Sequence, residues 1–85
     1  MKVTLRQLEV FVAIATHGQV TRAADAVAMT QSAASMALGE LEQQLDITLF
    51  DRVGRQLLLN EAGRQLLPKA IDVLGRVREI ESASS

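Results

Sequence analysis

The chain has 85 residues, 48% of them apolar, with no cysteine, no Trp or Tyr, two Phe, one His and a formal net charge of -1. These figures confine it to one small domain with an aliphatic core. They exclude disulfides, thiolate metal sites and cysteine nucleophiles, and they leave a zinc site only to a carboxylate cluster that the sequence does not contain. No apolar segment stands behind MKVTLRQ to make a signal peptide, and the longest apolar run, Val10 to Ala15, is too short to span a bilayer. The sequence therefore predicts a cytoplasmic protein with no membrane partner. Near-neutral charge argues against a generic nucleic-acid coat, yet leaves room for a sequence reader with a few well-placed arginines.

The first helix has a readable start. Thr4 can cap it, Gln7 can close a capping box, and Val3 and Leu8 can form a hydrophobic staple. Leu5, Leu8, Phe11, Val12 and Ala15 then share one helical face. Gly18 supplies the stop, and His17 in the last turn reads as structural.

A short second helix follows, with Thr21 as its expected cap and Arg22 to Val27 as its body. Ala23, Ala24 and Val27 are its candidates for close packing. Ala28 and Met29 make a turn, with Met29 stapled onto Ala34. Thr30 caps a third helix expected from Gln31 to about Leu45, whose core stripe is Ala34, Leu38, Leu41 and Leu45. Ser32, Met36, Gly39, Glu40 and Gln43 fall on or near the opposite face. Gln31, Ser32 and Ser35 lie in the first turns, where backbone N–H groups are free. If this helix reads DNA, its N-terminal end does so, because Gln pairs with an adenine edge, Ser with several bases or a phosphate, and Met36 with a thymine methyl. The bland alternative is a set of small polar residues on a solvated helix.

Arg52–Val53 and Gln56–Leu59 can pair as two short strands around a Gly54-Arg55 turn. An arginine at such a tip suits phosphate or a narrow minor groove; on many loops it is merely solvated. Asn60 caps the last helix, with Glu61 set against the helix dipole. There Leu66, Ala70, Val73, Val77 and Ile80 repeat as a coiled-coil seam, beside a second row of Leu67, Ile71 and Leu74. Two apolar rows call for two partners, the domain's own core and a second subunit. Pro68 is discordant: either the helix kinks there or its first turn is a separate piece. Glu81 to Ser85 is expected to fray.

No constellation for catalysis is visible. Ser32 and Ser35 have no basic partner, the single His lies on another helix, and no Gly-rich phosphate loop occurs. Glu40 and Glu42 are two apart and so do not share a helix face. The sequence predicts no enzyme, no cofactor and no metal. From Thr30 to Leu45 there is no Lys or Arg, so the presumed reading helix is net negative. That feature supports the main alternative, a winged-helix module that binds protein rather than DNA.

LRQLEVFVAIATHG, TRAADAVAMTQSAAS, LEQQL, LFDRVGR and LNEAG, in that order and spacing, resemble the N-terminal DNA-binding domain of LysR-type transcriptional regulators. The likeness runs from Leu5 to about Ala70. It implies a mainly α fold: a winged helix-turn-helix (a three-helix core plus a two-stranded β-wing) over residues 1–60, then a long dimerising linker helix over 61–85. The helix-turn-helix would occupy about residues 20–39 and the wing about 51–60. The resemblance also implies sequence-specific binding of double-stranded DNA at an operator with dyad symmetry, a homodimer formed through the linker helix, and higher oligomers of a full-length protein. A C-terminal effector-binding domain, outside this chain, would take the small-molecule effector. By position, the DNA contacts would be Thr21, Arg22, Thr30, Gln31, Ser32, Ser35 and Met36, with Arg52 and Arg55 on the wing. The dimer seam would be Leu66, Ala70, Val73, Val77 and Ile80, and the protein would sit on the nucleoid when bound. Three positions depart from the family's habit: Ser32 where proline is frequent, Met36 where arginine is common, and Asp46 where glycine usually ends the helix.

Overall fold

The computed structural model describes residues 2–83. Its elements, in chain order, are α1 (Leu5–His17), α2 (Val20–Ala26), α3 (Gln31–Leu45), β1 (Phe50–Val53), β2 (Gln56–Leu59) and α4 (Glu61–Ala83). Side-chain caps set most of the boundaries. Thr4 Oγ1 accepts from the Gln7 amide at 3.1 Å, and Gln7 Oε1 accepts from the Thr4 amide at 3.1 Å, completing the capping box. Gly18 ends α1 in the left-handed region at φ 74, where only glycine sits without penalty. Thr30 Oγ1 accepts from the Ala33 amide at 3.1 Å and opens α3. Asp46 ends α3 at φ 56, as the sequence requires, at a cost of about 1 kcal/mol for a non-glycine residue. Ala28, in the turn between α2 and α3, takes the same conformation at φ 57.

The largest fully buried side chains are Phe11, Ile14, Leu41, Leu49 and Val10. Helix α1 is the middle of the fold and packs on α2, α3 and α4. Because it has neighbours on more than one side, its buried set is wider than one stripe. Val10, Ala13 and Ile14 are buried, whereas Leu5 is exposed and Val12 and Ala15 are only half-buried, so the single face read from the sequence is corrected. The cap of α2 is also corrected: Gln19 holds that position without a side-chain bond, and Thr21 lies one residue inside the helix. Leu45, in the last turn of α3, is exposed rather than core, and Ala37 joins the buried stripe instead.

Strands β1 and β2 pair antiparallel, from Phe50↔Leu59 to Val53↔Gln56, and Gly54 turns the hairpin at φ 62. The Leu57 amide donates to the Gly18 carbonyl at 2.8 Å, tying the hairpin to the α1–α2 turn. Phe50 packs on Phe11 with ring centroids 5.6 Å apart. Three packed helices, a β-hairpin at their side and a long C-terminal helix make a winged helix-turn-helix.

Helix α4 has 23 residues and is a single piece through Pro68, which is exposed. The helix includes Glu81 to Ala83, correcting the expected loss of structure there; Ser84 and Ser85 lie outside the described residues. Its buried stripe is Gly63, Ala70 and Leu74, with Leu66 and Leu67 half-buried against the same core. That stripe cuts across both apolar rows. Ala70, assigned by its spacing to an intersubunit seam, is 1% exposed and belongs to the protomer's own core, since α4 packs on α1.

Candidate nucleic-acid interface

The α2–turn–α3 unit leaves one end of α3 bare. Ala34, Ala37, Leu38 and Leu41 face the core, which rotates Gln31, Ser32, Ser35 and Met36 outward. Met36 is 66% exposed, a large apolar side chain left in water by its own fold. Thr30 caps the helix with its hydroxyl while its side chain remains exposed. The first amides of α3 therefore open onto solvent at the positive end of the helix dipole.

The hairpin brings Arg52 and Arg55 alongside this end. A groove of about 360 Å³ is lined by Gln19, Val20, Thr21, Gln31, Ser35, Arg52, Arg55 and Leu57. Five of the nine residues predicted to contact DNA thus share one concavity, although Thr21 and Arg55 are far apart in sequence. Arg22, Thr30, Ser32 and Met36 are exposed but do not line it. Among the described residues, Arg22, Arg52 and Arg55 make no ion pair or hydrogen bond, whereas Arg76 on α4 is paired with Asp72 at 3.8 Å and Glu79 at 3.4 Å. Unpaired guanidinium groups on a shared face are free to meet phosphate.

The acidic character of α3 persists in the fold, with Glu40 exposed and Glu42 lining a groove together with Ser35 and Arg52. Glu42 is half-buried and its Oε2 accepts from the Leu49 amide at 2.8 Å, so its charge serves the loop after α3. No spacing rule announces a bond from a side chain to an amide seven residues on. Gln19, Val20 and Leu57 are the other lining residues that sequence reasoning missed; they follow from the hairpin's tie to Gly18, which is equally silent in the sequence.

A helix tip with free amides and short polar side chains, flanked by unpaired arginines on a β-ribbon, defines a DNA-reading winged-helix domain. Among the described residues no group of His, Asp or Glu gathers that could hold a metal ion, and no helix is long and apolar enough to cross a membrane. Residues 5–64 match the family described as bacterial regulatory helix-turn-helix protein, lysR family, and the chain belongs to it. It is 51% identical over 81 residues to the HTH-type transcriptional regulator YeiE of Escherichia coli K12, covering 95% of this chain and 28% of that one. It is 42% identical to the RuBisCO operon transcriptional regulator of Allochromatium vinosum, covering 95% of this chain and 27% of that one. Among solved structures, the BenM DNA-binding domain bound to benA site 1 DNA superposes with a TM-score of 0.88 at 31% identity, covering 95% of this chain and 91% of that one. Oxidized OxyR of Corynebacterium glutamicum gives a TM-score of 0.95 at 33% identity, covering 100% of this chain and 28% of that one. The chain thus spans about a quarter of the length of the curated relatives it matches. Those relatives are transcriptional regulators; this is a DNA-binding domain of that class and not an enzyme.

Proposed function

We propose that the chain reads an operator with dyad symmetry as a homodimer. In each half-site the Gln31 end of α3 enters the major groove, with Gln31, Ser32, Ser35 and Met36 against base edges. Arg52 and Arg55 lie on the adjacent minor groove and backbone. Thr21, Arg22 and Thr30 take phosphates. The observation that carries this reading is the shared groove of Thr21, Gln31, Ser35, Arg52 and Arg55, because it sets two guanidinium groups beside the outward-facing first turns of α3, as a helix entering a groove between phosphate backbones requires.

Residues 1–60 act as the reading head and 61–85 as the arm that pairs with a second copy. Exposed Ile71, Val73 and Ile80 on α4 supply apolar surface for that pairing, with half-buried Val77 between them. Ala70 is already used within the protomer, and Leu66 in part. In the longer protein, effector response and higher assembly belong to the segment beyond this chain, and the site of action is the cytoplasmic nucleoid.

Selection of bound sequences from a random duplex pool tests binding, dyad symmetry and half-site spacing together. Arg55→Ala is expected to weaken binding to every sequence and to lower the log–log salt slope by about 1, whereas Gln31→Ala shifts base preference at one position. Equal scaling of all sites by both substitutions overturns the assignment of roles. The protein-binding alternative draws on the net negative α3, against which stand Arg52 and Arg55 in the groove beside it. An absence of duplex binding in an anisotropy titration would restore it.

A further inference from the structure

The reading face uses one end of α3. At the other end, three elements meet on a single residue. Leu49 is 1% exposed. Its amide donates to Glu42 Oε2 at 2.8 Å, and its carbonyl accepts from the Asn60 amide at 3.0 Å. Asn60 Nδ2 donates to the Thr48 carbonyl at 2.7 Å, while Asn60 Oδ1 accepts from the Gly63 amide at 2.8 Å. Gly63 closes the junction, since a Cβ there would strike the Leu49 carbonyl and Leu59 Cδ2. The end of α3, the root of β1 and the first turn of α4 are therefore bonded to one another through a few backbone groups. The carboxylate bond to Leu49 is charge-assisted and about twice as strong as a neutral one.

We infer that Glu42 and Asn60 are positioning residues that fix the angle between the reading helix and α4, and so set the half-site spacing that the protein accepts. The inference rests on the proposed dimeric reading of dyad DNA. If two α4 arms pair, the separation of the two reading tips is transmitted along α4, the Leu49 junction and α3. Gln31 lies about 17 Å from Glu42 along the helix axis. A rotation of about 12° at the junction would swing the tip by roughly 3.4 Å, one base-pair rise. The Glu42 and Asn60 bonds thus act, together with the packing of α1 on both helices, on a displacement the size of the unit being counted.

The test uses the 85-residue chain and a series of duplexes carrying two copies of the selected half-site, their separation varied one base pair at a time. Wild type is expected to bind one spacing best. Glu42→Ala is expected to flatten the profile, lowering the preference over the neighbouring spacings by a factor of about five, the Boltzmann weight of one net hydrogen bond. The base preference within each half-site stays unchanged. Glu42→Gln, which keeps an acceptor for the Leu49 amide, restores the profile. Asn60→Asp keeps the helix cap but loses the donor to Thr48, and it flattens the profile as Glu42→Ala does, giving a second route if Glu42→Ala does not fold. A peaked wild-type profile that both variants reproduce, with affinity lowered equally at every spacing, overturns the inference and leaves the dimeric reading intact. Flattening by Glu42→Gln as severe as that by Glu42→Ala also overturns it. A flat wild-type profile removes the dimeric reading and this inference together.

Discussion

The proposed reading face and the core behind it differ in how their polar groups are met. In the body, buried polar groups are satisfied: among the described residues no buried side-chain nitrogen or oxygen lacks a hydrogen-bond partner, and Gln7, the only buried polar residue, is spent on the α1 cap. On the proposed reading face, Arg52 and Arg55 have no partner among the described residues and Met36 stands in water. In the proposed complex the duplex would pair these guanidinium groups and cover Met36. The difference teaches where substitutions should strike stability and where they should strike recognition.

The sharpest break of that contrast is a substitution deep in the body. Phe11→Ala removes a fully buried ring that also packs on Phe50, and is expected to destabilise by about 3–5 kcal/mol, which in a domain this small amounts to most of its stability. Urea unfolding checks it. Gly63→Ala inserts a methyl group against the Leu49 carbonyl, for an expected loss of about 1–3 kcal/mol, with the thermal midpoint falling accordingly. Thr30→Ala lies on the boundary between the two regions. It removes the α3 cap, so a loss of about 1 kcal/mol in chemical denaturation should come together with weaker duplex binding. Gly39→Ala, on the exposed side of α3 with open space where a Cβ would go, should instead stabilise by about 0.5–1 kcal/mol. A loss of stability there would show that the glycine serves the fold.

Much of this was legible in the sequence because the signals are local. The capping box at Thr4 and Gln7, the stop at Gly18, the cap at Thr30 and the turn at Gly54 each depend on residues within three or four positions, and each stands where it was expected. The outward tip of α3 was legible for the same reason, as a wheel of small polar residues opposite Ala34, Leu38 and Leu41. What depended on distant partners was not. The buried face of α1 could not be read as one stripe, because a helix with neighbours on several sides has no single apolar direction. The start of α2 carries no side-chain cap, so Thr21 drew the assignment that belongs to Gln19. The bond from Glu42 to Leu49 spans a loop, and the loss of Ala70 to the protomer's own core was hidden because a seam and a core share the same spacing.

The wing has a last consequence. Its strands are in register, Leu57 is strapped to Gly18, and Phe50 is wedged against Phe11. The hairpin therefore holds its shape before any duplex arrives, and closing on DNA forfeits little backbone freedom. In the proposed complex, freezing the guanidinium arms of Arg52 and Arg55 is then the main ordering penalty on that side. Association should accordingly proceed without a slow rearrangement, with affinity differences among sequences expressed in how long the complex lasts.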